Sequence, residues 1–87
     1  MITGKTNSGF EFEIEYEKLD DWELFELLTE LDKGNIVATV DVARTLLGEE
    51  QLKQLKNHVK GIFGRVSMDA MFQEISQILS STDTGKN

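Results

Sequence analysis

The chain has no cysteine and no proline, and it has one histidine and one tryptophan. Without cysteine, disulfides and thiolate-held metals are excluded, and a reducing compartment fits. Without proline, the breaks between elements fall to glycine and to capping side chains. No apolar run approaches the roughly 20 residues that cross a bilayer, so no membrane partner is expected. The opening MITGKTNSG lacks the apolar core of a signal peptide. The one histidine, His58, lies among Lys56, Asn57 and Lys60 with no second His or Cys three or four positions away. It reads as an exposed residue of a surface helix rather than a metal ligand. The glycines of GIFGR, residues 61–65, fit neither G-x-x-x-x-G-K nor G-x-G-x-x-G, and G-x-S-x-G is absent. The reading is of a protein that is not an enzyme, with no catalytic, cofactor or metal residues and no cofactor.

What is present is acid. The net charge is −7 over 87 residues, and it is unevenly spread. Residues 10–32 carry ten acids and one base, Lys18, while the rest carries six acids and eight bases. Such a third does not seek nucleic acid; it repels phosphate, mimics it, or meets a basic protein surface. With 39% hydrophobic and 29% charged residues the composition is that of a soluble globule. A chain this short makes one domain with a modest core, so self-association or a partner is expected.

The fold reads as mainly α with some β: an N-terminal hairpin followed by about four short amphipathic helices in one small domain, residues 1–79. Residues 2–17 form the hairpin, with Asn7-Ser8-Gly9 as its turn and period-two alternation after it. The first strand is the weaker, because Gly4 and Lys5 sit inside it. Residues 21–33 form a helix capped by Asp20, with Glu23 three positions on and Leu19 and Leu24 as a staple. Its apolar stripe takes in Trp22, Leu24, Phe25, Leu27, Leu28 and Leu31, and Lys33-Gly34 is its exit. Asn35 can cap a helix over 36–47 with Ile36, Val40, Ala43 and Leu47 inward, though the β-branched run IVATV also suits a strand. Gly48 separates it from a helix over 49–60, with Leu52, Leu55 and Val59 inward and lysines outward. Ser67 caps a last helix, 68–80, and residues 80–87 form a polar, mobile tail.

Within SGFEFEIEYEKLDD, residues 8–21, Glu11, Glu13, Glu15 and Glu17 alternate with Phe10, Phe12, Ile14 and Tyr16. Like charges two strand positions apart repel by about 0.6 kcal/mol in water. Burying each apolar partner gains about 1.5–3 kcal/mol before ordering entropy. Burial wins, so these glutamates read as a solvated, solubilising face rather than an acid–base site. Phe63, between Gly61 and Gly64, is either a core plug or an exposed contact. Met68, Met71 and Phe72 are either core or an adaptable surface that takes an apolar helix. These four residues are the candidate partner-binding set.

The segment LLGEEQLKQLKNHVKGIFGRVSMDAMFQEISQIL, residues 46–79, resembles the tail assembly chaperones of long, non-contractile-tailed bacteriophages and prophages. The matching elements are LLGEEQ, the lysine-bearing QLKQLKNHVK, and GRVSMDAM leading into an amphipathic helix. The acidic FEFEIEYEKLDD also looks like this group, so the resemblance spans about residues 10–87. It implies a protein of the bacterial host cytoplasm that binds the tape-measure protein, keeps it soluble and helps recruit tail-tube protein. Such a protein self-associates and is absent from the finished virion. These chaperones are often made in two lengths by ribosomal slippage. Gly85-Lys86-Asn87 can be encoded by a −1 slippery sequence, which would make this chain the shorter product and a frameshifted longer form a partner. The alternative is an acidic DNA mimic or regulatory protein-binding module, which the acidic third favours and the basic residues elsewhere disfavour.

Overall fold

Alternation decides the first element. Phe10, Phe12 and Ile14 are buried while Glu11, Glu13 and Glu15 are exposed, the period-two pattern of a sheet with one dry face. In this computed structural model, which describes residues 1–82, strand β1 (Ile2–Lys5) pairs antiparallel with β2 (Glu11–Ile14). The register sets Gly4 opposite Phe12 and Lys5 opposite Glu11. The turn closes through Thr6, whose N–H donates to the Phe10 carbonyl at 2.9 Å and whose Oγ1 accepts from the Phe10 N–H at 3.1 Å. Gly4, a weakness by strand propensity, is required by space. A Cβ there would stand 2.6 Å from Cζ of Phe12, so the missing side chain is what lets that ring lie across β1.

The hairpin is shorter than the sequence pattern implies. Ile2 meets Ile14 and β1 extends no further, so the next residues satisfy their backbone groups locally. They form a single turn, α1 (Tyr16–Leu19), with the Lys18 N–H on the Glu15 carbonyl and the Asp20 N–H on the Tyr16 carbonyl. Tyr16 is therefore 60% exposed rather than inward, and Glu17 lies on a helical turn rather than a strand. All four glutamates, Glu11, Glu13, Glu15 and Glu17, are exposed.

Helix α2 (Trp22–Asp32) is capped by Asp21, whose Oδ1 accepts from the Glu23 N–H at 2.8 Å. The expected cap, Asp20, instead ends α1. Only part of the expected stripe turns inward: Leu24 is buried and Leu27, Leu28 and Leu31 pack half-buried against the core. Trp22 and Phe25 lie roughly 100–160° round the helix from Leu24. They are 68% and 55% exposed, with ring centroids 5.5 Å apart.

The Asn35 N–H closes on the Glu30 carbonyl at 3.0 Å. Asn35 thus completes the end of α2 rather than capping the next helix, and the chain turns through Ile36 and Val37 before α3 (Ala38–Phe63) begins. The β-branched run is helical from Ala38 onward. Gly48 divides α3 into arms 38–47 and 49–63 at φ 77° and ψ 166°, a conformation essentially confined to glycine. The break expected at Gly48 therefore separates two helical arms, as the sequence implies, and the second arm runs past Gly61 to Phe63 rather than ending at residue 60. Helix α4 (Met68–Ser81) starts where Ser67 Oγ accepts the Ala70 N–H at 3.2 Å, the cap expected there, and it includes Ser80 and Ser81. Residues 83–87, on which most of the expected tail and the Gly85-Lys86-Asn87 reading fall, lie outside the described residues.

The result is one small domain, mainly helical, with a two-stranded antiparallel hairpin at its N-terminus and four helices. Its core joins Phe10, Phe12 and Ile14 to Leu24, to Val42, Leu46, Leu52, Leu55 and Val59 of α3, and to Ile75 and Ile78 of α4. No helix among the described residues is long and apolar enough to cross a membrane.

Candidate functional site

The kink at Gly48 and the cap at Ser67 together leave apolar side chains that the core does not take. Val42, Ala43, Leu46 and Leu47 turn the first arm of α3 inward. Val40 then falls on the side of Arg44, four positions on, and Ile36 and Val37 precede the helix. On α4, Ile75 and Ile78 face the core, and Met68 and Phe72, one turn apart, lean to one flank. These two apolar margins face each other across a groove of about 490 Å³. Ile36, Val37 and Val40 form one wall; Val66, Met68, Met71 and Phe72 form the other; Ala43, Leu52 and Ile75 close the floor. Val37 is 75% and Met68 72% exposed. Arg44 and Lys56 supply the charge at the margin, and Arg44 Nε also contacts Glu49 Oε2 at 2.7 Å.

Met68, Met71 and Phe72 are therefore brought together on one wall of the groove, Met68 exposed and Met71 and Phe72 partly buried, with Met71 also packed against the core. Phe63 is 53% exposed at the C-terminal end of α3 and lines a different depression, with Ser67, Asp69 and Glu74. It is neither a core plug nor part of the groove. Sequence pattern does not reveal the opposite wall, because helical spacing places Ile36 and Val40 on the core face with Ala43 and Leu47, whereas both are more than half exposed. The available signal was the density of IVATVDVA, with apolar residues at 36, 37, 38, 40, 42 and 43. That is more than one helix face can bury.

Polar chemistry gathers on the other flank of α4, under the hairpin turn. Ser8 Oγ donates to Glu74 Oε2 at 2.7 Å and lies 3.0 Å from His58 Nε2 and 3.2 Å from Thr6 Oγ1. The Asn7 N–H donates to Gln77 Oε1 at 2.7 Å. His58 is thus a half-buried anchor of the turn, its ring 5.6 Å from that of Phe10, and not the exposed helix residue its neighbours imply. In a nucleophilic relay the imidazole stands between hydroxyl and carboxylate; here the hydroxyl stands between the other two and its proton is directed to Glu74. A larger depression, about 800 Å³, separates the hairpin from α3 and is lined by Lys5, Glu11, Glu13, Glu50 and Gln51. Its carboxylates are all exposed to water. No group of three or more His, Asp or Glu side chains among the described residues is placed to hold a metal ion.

Comparison with protein-family models, with curated proteins and with solved structures yields no match.

Proposed function

We propose that this chain is a tail assembly chaperone that seats an apolar helical segment of a tape-measure protein in the groove between α3 and α4. The groove carries the reading. Its walls are aliphatic, thioether and aromatic, with few directional polar groups to orient a small molecule, which suits a helix laid in by its apolar face. Methionine at two wall positions lets the surface refit to different side chains. Arg44 and Lys56 at the margin favour a segment with acidic flanks. The exposed glutamates on the hairpin and α1 keep loaded complexes apart in the host cytoplasm. The phage assignment itself rests on the resemblance of residues 46–79, and with it the recruitment of tail-tube protein, self-association and absence from the virion.

Coexpression with a tape-measure fragment tests this. The wild-type chain keeps the fragment soluble and copurifies with it, whereas a Val40→Asp, Met68→Asp double variant folds but loses both effects. Copurification undiminished in the double variant overturns the groove as the contact. The DNA-mimic alternative gives the groove no role and predicts that the chain displaces DNA from a basic protein with steep salt dependence.

A further inference from the structure

Two aromatic rings on α2 are turned away from the core. Trp22 is 68% and Phe25 55% exposed, and they meet each other with centroids 5.5 Å apart. Neither lines the groove of its own chain, because Leu24, Leu27, Leu28 and Leu31 hold α2 against the core by its other side. Asp20, Glu23 and Glu26 flank the rings, exposed and without an ion-pair partner among the described residues. The groove between α3 and α4 is the converse surface. Its walls are apolar and its margin is basic: Arg44 and Lys56 line it, and Lys53 and Lys60 continue the stripe of Lys56 along α3. These lysines are exposed and have no ion-pair partner among the described residues.

We propose that Trp22 and Phe25 of one copy of the chain enter the groove between α3 and α4 of a second copy. The contact rests on the reading of that groove as a seat for an apolar helix with acidic flanks, and it names an occupant that the chain itself carries. Helix-in-groove recognition uses apolar anchors at i and i+3 of a formed helix, the spacing of Trp22 and Phe25. Buried aromatic anchors dominate the energy of such interfaces, and the thioethers of Met68 and Met71 pack favourably against rings. Glu23 and Glu26 then come to the lysine margin, and the opposite charges steer the encounter and fix its orientation. Pairing α2 against α2 would also cover the rings, but it sets two regions of ten acids and one base against each other, and like-charge juxtaposition opposes it. A tape-measure segment must therefore displace a neighbouring copy to reach the groove.

Sedimentation velocity of the full chain over a range of concentrations tests this, with the emission of Trp22, the one tryptophan, as a local readout. The wild type is expected to associate as concentration rises, its emission moving to the blue as the indole leaves water, and to dissociate as salt is added. Trp22→Gln with Phe25→Gln alters α2, and Val40→Asp with Met68→Asp alters the groove; all four side chains are exposed, so both double variants should fold. Each alone should associate at least about tenfold more weakly than the wild type. Mixed, they should recover one contact, since one supplies an intact groove and the other an intact α2. The emission of the groove variant should move to the blue only in that mixture. A wild type that stays monomeric, an α2 variant that associates as the wild type does, or a mixture with neither complex nor blue shift overturns the contact. A tape-measure fragment should bind the α2 variant more tightly than the wild type, because no second copy competes. If the fragment binds both equally and the wild type is monomeric, the self-contact falls and the chaperone role stands. If copies associate through both faces and no fragment binds, the self-contact stands and the chaperone role falls.

Discussion

The side-chain amide of Gln51 reads the backbone of Glu13 as a neighbouring strand would. Gln51 Oε1 accepts the Glu13 N–H at 2.7 Å, and Gln51 Nε2 donates to the Glu13 carbonyl at 2.8 Å. The same Nε2 lies 3.2 Å from the Leu47 carbonyl, next to the Gly48 kink. One residue therefore closes the open edge of β2 and helps seal the break in α3. An unpaired edge invites pairing with other chains, and a two-stranded hairpin is marginal unless it packs on something. Gln51 answers both needs.

Replacing Gln51 tests this. Gln51→Leu keeps the bulk but removes both bonds to Glu13, which lie where water can replace them, so it should destabilise by about 0.5–1.5 kcal/mol, the net worth of an intramolecular hydrogen bond. The urea midpoint reads the loss. Amide hydrogen exchange should accelerate at Glu13 more than at Leu55, which sits in the core of the second arm. Uniform acceleration would show that the hairpin does not depend on this contact.

The two glycines that shape the fold should fail for different reasons. Gly48→Ala forces a side chain into φ 77°, ψ 166°, where open space surrounds the Cβ but the backbone conformation is strained. About 1–3 kcal/mol is expected from strain alone. Gly4→Ala meets the Phe12 ring at 2.6 Å, and that ring is 1% exposed with nowhere to go. Overpacking of this kind costs about 1–3 kcal/mol. Phe12→Leu should recover part of the Gly4→Ala loss and none of the Gly48→Ala loss, as thermal melts of the two double variants would show.

This contrast also marks what the sequence makes legible. Period-two alternation identifies β2, and Ser67 and Gly48 mark the start of α4 and the break in α3, because caps and glycine act within a few residues. The end of the hairpin at Ile14 is set by how far β1 reaches, a pairing that local pattern does not contain. Trp22 and Phe25 satisfy a helical spacing yet face water, since a stripe wider than the contact leaves its edge outside. Helical spacing groups Met68, Met71 and Phe72 on α4 but leaves open whether they are core or surface, and Ile36, Val37 and Val40 join them only through the path of the chain after Asn35. Ser8, His58 and Glu74 are 50 and 66 residues apart in their two contacts, and no spacing rule links them.

The Ser8–Glu74 contact should show strong coupling. Ser8→Ala takes the donor from Glu74 Oε2 and leaves a buried carboxylate with no donor on either oxygen, an expected loss of about 1–3 kcal/mol. Glu74→Leu in that background removes the stranded acceptor and should restore much of the stability, since deleting both partners together is far milder than deleting one. Urea denaturation of the four chains of the cycle gives the coupling energy directly. Additive losses would mean that the hydroxyl and carboxylate contribute independently.

The four exposed glutamates separate stability from solubility. Glu11, Glu13, Glu15 and Glu17 make no hydrogen bond through their carboxylates among the described residues beyond the Glu11–Lys5 ion pair at 3.8 Å, which is open to solvent. An exposed pair of this kind contributes at most about 1 kcal/mol. Changing all four to Gln takes the net charge from −7 to −3 and also relieves repulsion among them. The melting temperature should therefore move little, and the circular dichroism spectrum should be unchanged. The soluble yield of a coexpressed tape-measure fragment should nevertheless fall under the proposed role, because the charge proposed to keep loaded complexes apart would be more than halved. A yield equal to wild type would leave these side chains without the solubilising role proposed for them. A DNA mimic would respond differently: the quadruple variant would lose competition with DNA, and its dependence on salt would flatten.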